Sequence, residues 1–121
     1  MKAEFEELKV EVSVLPQDDF LTGISDGKAF VTLNKADFIV YLSKDVLTAE
    51  ILEKSGYKLF NSSKTIEICD DKALTYLALT GKGIKMPKTV FAPLMYVENE
   101  DLAFLEIVKS NLSFPIVVKS V

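Results

Sequence analysis

Lys72 and Lys119 are the side chains in this sequence whose positions suit chemistry. Lys72 falls in the first turn of a helix expected from Asp71 to Thr80, capped by Asp70. A cation there opposes the positive end of the helix macrodipole and costs stability. Two readings account for it. Either Asp70 and Asp71 offset the charge, or Lys72 and the helix start together bind a phosphate. Lys119 follows Pro115-Ile116-Val117-Val118, and period-two alternation puts it on the face of Val117. It is either an edge lysine that discourages aggregation or a lysine reaching into a ligand cleft from a rigid strand.

Other reactive residues are few. Cys69 is the single cysteine and histidine is absent, so a zinc site or a histidine-based triad is excluded. Without a histidine to activate it, Cys69 reads as a buried structural thiol. Asp18-Asp19 follow an expected strand and could hold a metal, but a solvated pair capping the next segment is the simpler role. Tyr41, Tyr57, Tyr76 and Tyr96 are scattered and read as packing residues. Neither of the glycine-rich phosphate loops, GxxxxGK[ST] or GxGxxG, occurs. No catalytic residue and no set of metal ligands is assigned within the chain.

Composition narrows the partners. All 14 basic residues are lysines, set against 18 acids for a formal charge of −4, which makes a nucleic-acid backbone a poor partner. Residues 1–60 carry 7 lysines against 11 acids and residues 61–121 carry 7 against 7, so the second half is the better host for an anion. Apolar residues make up 49% and charged residues 26%, the balance of a soluble globular protein. No run is long enough to span a bilayer, and the start lacks the apolar core of a signal peptide. A lone cysteine fits a reducing cytoplasm.

The elements that position these residues alternate in type. Strands are expected over Lys9–Leu15 (with Val10, Val12 and Val14 on one face), Lys28–Leu33 and Asp37–Leu42, the last apolar throughout as if covered on both faces. A helix follows from Val46 to Lys54, with Leu47, Ile51 and Leu52 facing inward and Gly56 closing it. Tyr57–Phe60 is a short strand, and Ser62 or Ser63 caps a brief helix through Ile68. The Asp71–Thr80 helix has a stripe of Leu74, Leu77 and Ala78 and ends at Gly81 and Gly83. Thr89–Ala92 reads as a strand, Asp101–Asn111 as a helix and Phe114–Ser120 as a strand. This alternation predicts α/β layers, with a boundary near Gly81–Met86.

Three strings in this order carry a resemblance: Asn61 to Tyr76 with its Asp71-Lys72 pair, Gly83-Ile84-Lys85-Met86-Pro87-Lys88-Thr89, and Phe114-Pro115-Ile116-Val117-Val118-Lys119. The chain resembles ATP-grasp enzymes, and within them carboxylate–amine ligases of the glutamate-ligase type. The motifs cover about half of the chain; the first sixty residues match only in kind. The resemblance implies a pre-ATP-grasp, Rossmann-like α/β domain over 1–83, its usual first strand missing. The first strand–helix–strand of the ATP-grasp small subdomain would follow over 84–121. It implies that Lys72 and Lys119 lie beside ATP, contacting phosphates, with Lys119 also near the adenine. Phosphoryl transfer from ATP to a carboxylate, then attack by an amine, is the implied chemistry, and magnesium is implied with it. The family's later glycine loop, adenine hinge and magnesium ligands do not occur here. The chain is therefore expected to be an N-terminal fragment, inactive alone. Both ends read as trimmed, and an unpaired terminal strand should make the chain self-associate. The alternative function is a non-catalytic module of the receiver or protein-interaction type, although no acceptor aspartate ends the Phe38–Leu42 segment. A third is a degenerate ligase relative used only for binding.

Overall fold

The computed structural model describes residues 2–93 and 103–119. They form a mixed α/β structure with two small sheets, divided into two compact units, Met1–Glu67 and Ile68–Val121.

The first unit opens with a short helix α1 (Lys2–Glu7) and a 3-10 turn (Gln17–Asp19). Strands β1 (Thr22–Ser25) and β2 (Lys28–Val31) then pair antiparallel, from Thr22 opposite Val31 to Ser25 opposite Lys28. Asp26 and Gly27 join them with φ of 51° and 73°. Two consecutive positive φ values make the two-residue turn whose twist matches that of the flanking strands, and Asp-Gly is its favoured sequence. At Gly23 the Phe30 ring lies over the backbone, and a Cβ there would come within 2.7 Å of the ring and push it aside.

A β–α–β unit follows. Strand β3 (Ile39–Val40), helix α2 (Val46–Lys54) and strand β4 (Leu59–Phe60) place Ile39 beside Leu59 and Val40 beside Phe60 in parallel register. Helix α2 packs against β1, β2 and β4. Its inward face is Thr48, Ala49 and Leu52, which with Tyr41 and Ile66 form the buried centre. Ile39, Leu59 and Tyr57 close over it, and the Tyr57 hydroxyl donates to the Leu33 carbonyl at 2.9 Å. Helix α3 (Ser63–Asp70) contributes Ile66 to that centre.

In the second unit, helix α4 (Lys72–Leu79) ends in a turn where Gly81 and Gly83 adopt φ of 75° and 74°. Helix α5 (Ala103–Asn111) is closed at its C-terminus by Lys88, whose Nζ donates to the Asn111 carbonyl at 2.6 Å. A cation there complements the helix dipole and satisfies a terminal carbonyl. Among the described residues no helix is long and apolar enough to cross a membrane.

Several expectations are corrected. Lys9–Leu15 is not a strand: Lys9 turns the backbone with φ of 60°, and Val14 is 72% exposed. Period-two alternation needs a neighbouring ladder to become a strand, and none forms there. Thr89–Ala92 and the described part of Phe114–Ser120 join no ladder, so α5 lacks the flanking strands expected of it. Asp37–Leu42 contracts to two strand residues, with one face open to solvent, where Leu42 is 73% exposed. On α2, Leu47 points outward and Thr48 inward, because the Thr48 hydroxyl is satisfied by Asp45 at 2.7 Å. On α4, Leu77 is exposed and no residue is buried, while Tyr76 and Leu79 are half-buried. Tyr96, Asp101 and Ser120 lie outside the described residues.

Candidate functional site

The Asn61–Tyr76 string builds two helix starts and the corner between them. Asn61 leaves β4 and donates from Nδ2 to the Tyr41 carbonyl at 3.2 Å, tying together the carboxyl ends of β3 and β4. Ser62 Oγ accepts from the Thr65 amide at 3.2 Å, the capping contact of α3. The Ser63 amide and hydroxyl both donate to Glu53, a residue in the last turn of α2. Lys64 pairs with Glu67 one turn on, at 2.7 Å.

The cap of α4 is Asp71, one residue later than expected. Its Oδ1 accepts from the amides of Ala73 at 2.7 Å and Leu74 at 2.9 Å. Thr75 Oγ1 lies within hydrogen-bonding reach of the Ile68 carbonyl at 2.7 Å and the Asp71 carbonyl at 2.9 Å, which fixes the corner from α3 into α4. Lys72 is then the first helical residue, its side chain exposed directly after the capping carboxylate. Lys119 ends the described part of the chain, exposed in the irregular segment after Pro115. The two lysines thus sit on separate segments of the second unit, each accessible to a ligand.

The remaining candidates divide cleanly. Cys69 is exposed on α3, which corrects the expectation of a buried thiol: in a helix of eight residues only Ile66 faces the core. Asp18 and Asp19 occupy the 3-10 turn. Among the described residues no three His, Cys, Asp or Glu side chains come together in a way that could hold a metal ion.

A polar network outside the expected site escaped the sequence reading. Asp45 caps α2, accepting from the Thr48 amide at 3.1 Å, the Thr48 hydroxyl at 2.7 Å and Gln17 Nε2 at 2.6 Å. Ser43 Oγ donates to Gln17 Oε1 at 3.1 Å, and the Asp45 amide lies 3.2 Å from Ser43 Oγ. The Thr48 hydrogen bonds, assisted by Gln17, hold the Asp45 carboxyl below the usual aspartate range. Tyr41, whose hydroxyl donates to the Asp45 carbonyl at 3.1 Å, is shifted upward, chiefly by burial and further by the Asp45 charge. The signal for this network was Asp45-Val46-Leu47-Thr48, a capping acid three residues ahead of a hydroxyl.

A shallow cleft in the second unit, about 190 Å³, is lined by Tyr76, Leu77, Thr80, Met86, Pro87, Thr89 and Phe91. Tyr76 and Phe91 meet edge to face with centroids 6.5 Å apart. The Thr80 and Thr89 hydroxyls donate to the carbonyls of Tyr76 and Pro87.

Comparison with known proteins finds distant relatives. No protein-family model matches the chain, and no solved structure matches significantly. Uncharacterized protein MG012 of Mycoplasma genitalium is 28% identical over all of this chain and 43% of its own length. The alpha-aminoadipate–LysW ligase LysX of Sulfurisphaera tokodaii is 31% identical over 74% of this chain and 30% of its own length. Human N-acetylaspartylglutamate synthase A is 33% identical over 67% of this chain and 20% of its own. The chain spans less than half the length of these relatives. The similar proteins named for an activity are distant relatives, and they are ligases and a synthase.

Proposed function

We propose that this chain is the N-terminal part of an ATP-grasp ligase that joins a carboxylate to an amine. The observation that carries the reading is the similarity to LysX over 74% of the chain. It agrees with the order of the three motif strings and with the placement of the Asp71-Lys72 pair at the start of α4. A fragment explains why the chain covers only part of each relative. The subdomains of the proposal are a pre-ATP-grasp domain over 1–83 and the start of the ATP-binding subdomain over 84–121. This is a division by family role, distinct from the compact units that meet at Glu67 and Ile68.

In the proposed reaction the γ-phosphoryl group of ATP passes to a carboxylate oxygen and ADP leaves. The amine then attacks the acyl carbon, phosphate departs and the amine loses a proton, leaving an amide. Such a transfer depends on positioning and on cations that offset phosphate charge. Lys72 and Lys119 supply two of those cations. Lysine suits the role as a compact charge on a long stem, and a phosphate at Lys72 turns an electrostatic cost at the helix start into a stabilising contact. Magnesium would be held by residues of the parent enzyme outside those described. A cytoplasmic location belongs to the same reading.

The test is turnover. The 121-residue chain is incubated with ATP, magnesium, an amino acid amine and a carboxylate, beside the protein from a reading frame followed past Val121. The proposal expects ADP from the longer protein only, with Lys72→Ala raising its KM for ATP. ADP formation by residues 1–121 alone would overturn the fragment reading. A reading frame that stops at Val121 with no ligase sequence beyond it would leave the binding-module alternative in its place.

A further inference from the structure

We propose that Asp26 is a modification site, isomerising through a cyclic imide to isoaspartate with water as the only reagent, and that the change unlatches the β1–β2 hairpin. Asp26 is the one acid or amide residue in the sequence that precedes a glycine. The reaction needs the following backbone nitrogen to reach the side-chain carboxyl carbon, and a side chain on the following residue obstructs that approach. At Gly27 the obstruction is missing and the surroundings are open, with nothing within 4 Å of where a Cβ would sit. Both residues are exposed. The ladder stops at the Ser25–Lys28 pair, so the Gly27 nitrogen is not one of its donors.

Elsewhere the same chemistry is held in check. The Asp45 and Asp71 carboxylates are tied to the amides they cap, and each is followed by a helical residue with a side chain, Val46 or Lys72. Asn61 precedes the small Ser62, but its Nδ2 donates to the Tyr41 carbonyl at 3.2 Å. The carboxylate of Asp26 is held more loosely: its Oδ2 accepts from the adjacent Ser25 hydroxyl at 3.3 Å, long for a hydroxyl donor. The steps balance with water alone. The Gly27 nitrogen bonds to Cγ of Asp26, and its proton leaves with the carboxyl hydroxyl as water. A water molecule then opens the imide. Opening at Cγ restores aspartate, whereas opening at the α-carbonyl leaves isoaspartate, with the main chain running through Cβ. The turn is then one backbone carbon longer. Its two residues, set at φ of 51° and 73° to bridge Ser25 and Lys28, no longer fit that span. Helix α2 packs against both hairpin strands and Val31 lies against the buried centre, so the loss of register reaches the core. None of this depends on the ligase reading.

Ageing the folded chain in water enriched in heavy oxygen tests it, with circular dichroism to confirm folding and tryptic digestion afterwards in ordinary water. The peptide spanning residues 10–28 should split into two chromatographic peaks. The new peak should carry one heavy oxygen and resist an endoproteinase that cuts before aspartate, at position 26 and not at Asp18 or Asp19. Asp26→Asn keeps a favoured turn sequence and should be modified several-fold faster, with ammonia leaving in place of water. Asp26→Glu, whose longer side chain would have to close a larger ring, should lose the new peak. The modified chain, separated from the rest, should unfold at a lower urea concentration. A wild-type peptide that stays single and is fully cut before Asp26 would overturn the proposal. So would heavy oxygen entering at Asn61 or Asp71 as fast as at Asp26, or a modified chain that unfolds at the same urea concentration as the unmodified one.

Discussion

Replacing Asp45 by alanine should destabilise the first unit by about 2–4 kcal/mol at neutral pH, and the loss divides into two parts. The first is the N-cap of α2, where Asp45 accepts from the Thr48 amide; such caps contribute about 1 kcal/mol. The second is the hydroxyl of Thr48, a residue 7% exposed, which loses the carboxylate that accepts its proton. A buried polar group left unmatched costs roughly 1–3 kcal/mol. Gln17 also loses its 2.6 Å acceptor, but at an exposed position that adds little. Asp45→Asn separates the contributions: asparagine caps as well as aspartate, so the variant keeps the geometry and loses the charge. Urea unfolding followed by circular dichroism measures each difference, with an unchanged slope as the check that the unfolded state is the same. The pH dependence has a fixed sign. Asp45 is held below the usual aspartate value in the folded chain. Its contribution is therefore full above the unfolded pKa and fades as pH falls through the folded one. The gap between wild type and Asp45→Ala should narrow on acidification below the ordinary aspartate range. An Asp45→Ala variant as stable as wild type at pH 7, or a gap indifferent to acid, would refute the reasoning.

Other outcomes follow from single positions. Leu52→Ala, at a side chain only 1% exposed, should cost about 2–5 kcal/mol in the same urea experiment. Gly27→Ala places a Cβ at φ of 73° and should cost about 1 kcal/mol by raising strain in the β1–β2 turn, seen as a lower thermal midpoint. Lys72→Ala should leave α4 equally or slightly more helical by circular dichroism, because it removes a first-turn cation, while weakening phosphate binding if the proposed ligase role holds. A loss of both helicity and binding would mean that Lys72 is a structural residue.

The sequence made α2 legible to the residue, because Gly56 stops it and the pattern from Val46 to Lys54 has one period throughout. It misplaced the inward face by one position, since hydropathy ranks Leu47 above Thr48 and is blind to a hydroxyl with two partners. The hairpin went unread although Asp26-Gly27 announces it. Its first strand, Thr22-Gly23-Ile24-Ser25, offers one large apolar residue and no alternation. The opposite error produced strands at Lys9–Leu15, Thr89–Ala92 and Phe114–Ser120. Local pattern states which side of a strand would be buried; it does not supply the neighbour that makes it a strand. For the site, the helix position of Lys72 was readable from Asp70-Asp71 and the apolar run behind it. Whether either lysine meets a ligand is a matter of tertiary partners, which no local pattern encodes.

Helix α2 packs against both strands of the antiparallel hairpin and against β4 of the parallel pair, while the described strands of the two sheets share no ladder. The two sheets are thus joined through one helix and the side chains around Ala49 and Leu52. Amide protons of β2 and β4 should then exchange with solvent at a common opening free energy, set by the release of α2 and not by either ladder alone. A substitution that loosens the helix would speed exchange in both sheets together, whereas one confined to the Asp26-Gly27 turn would speed it only in the hairpin.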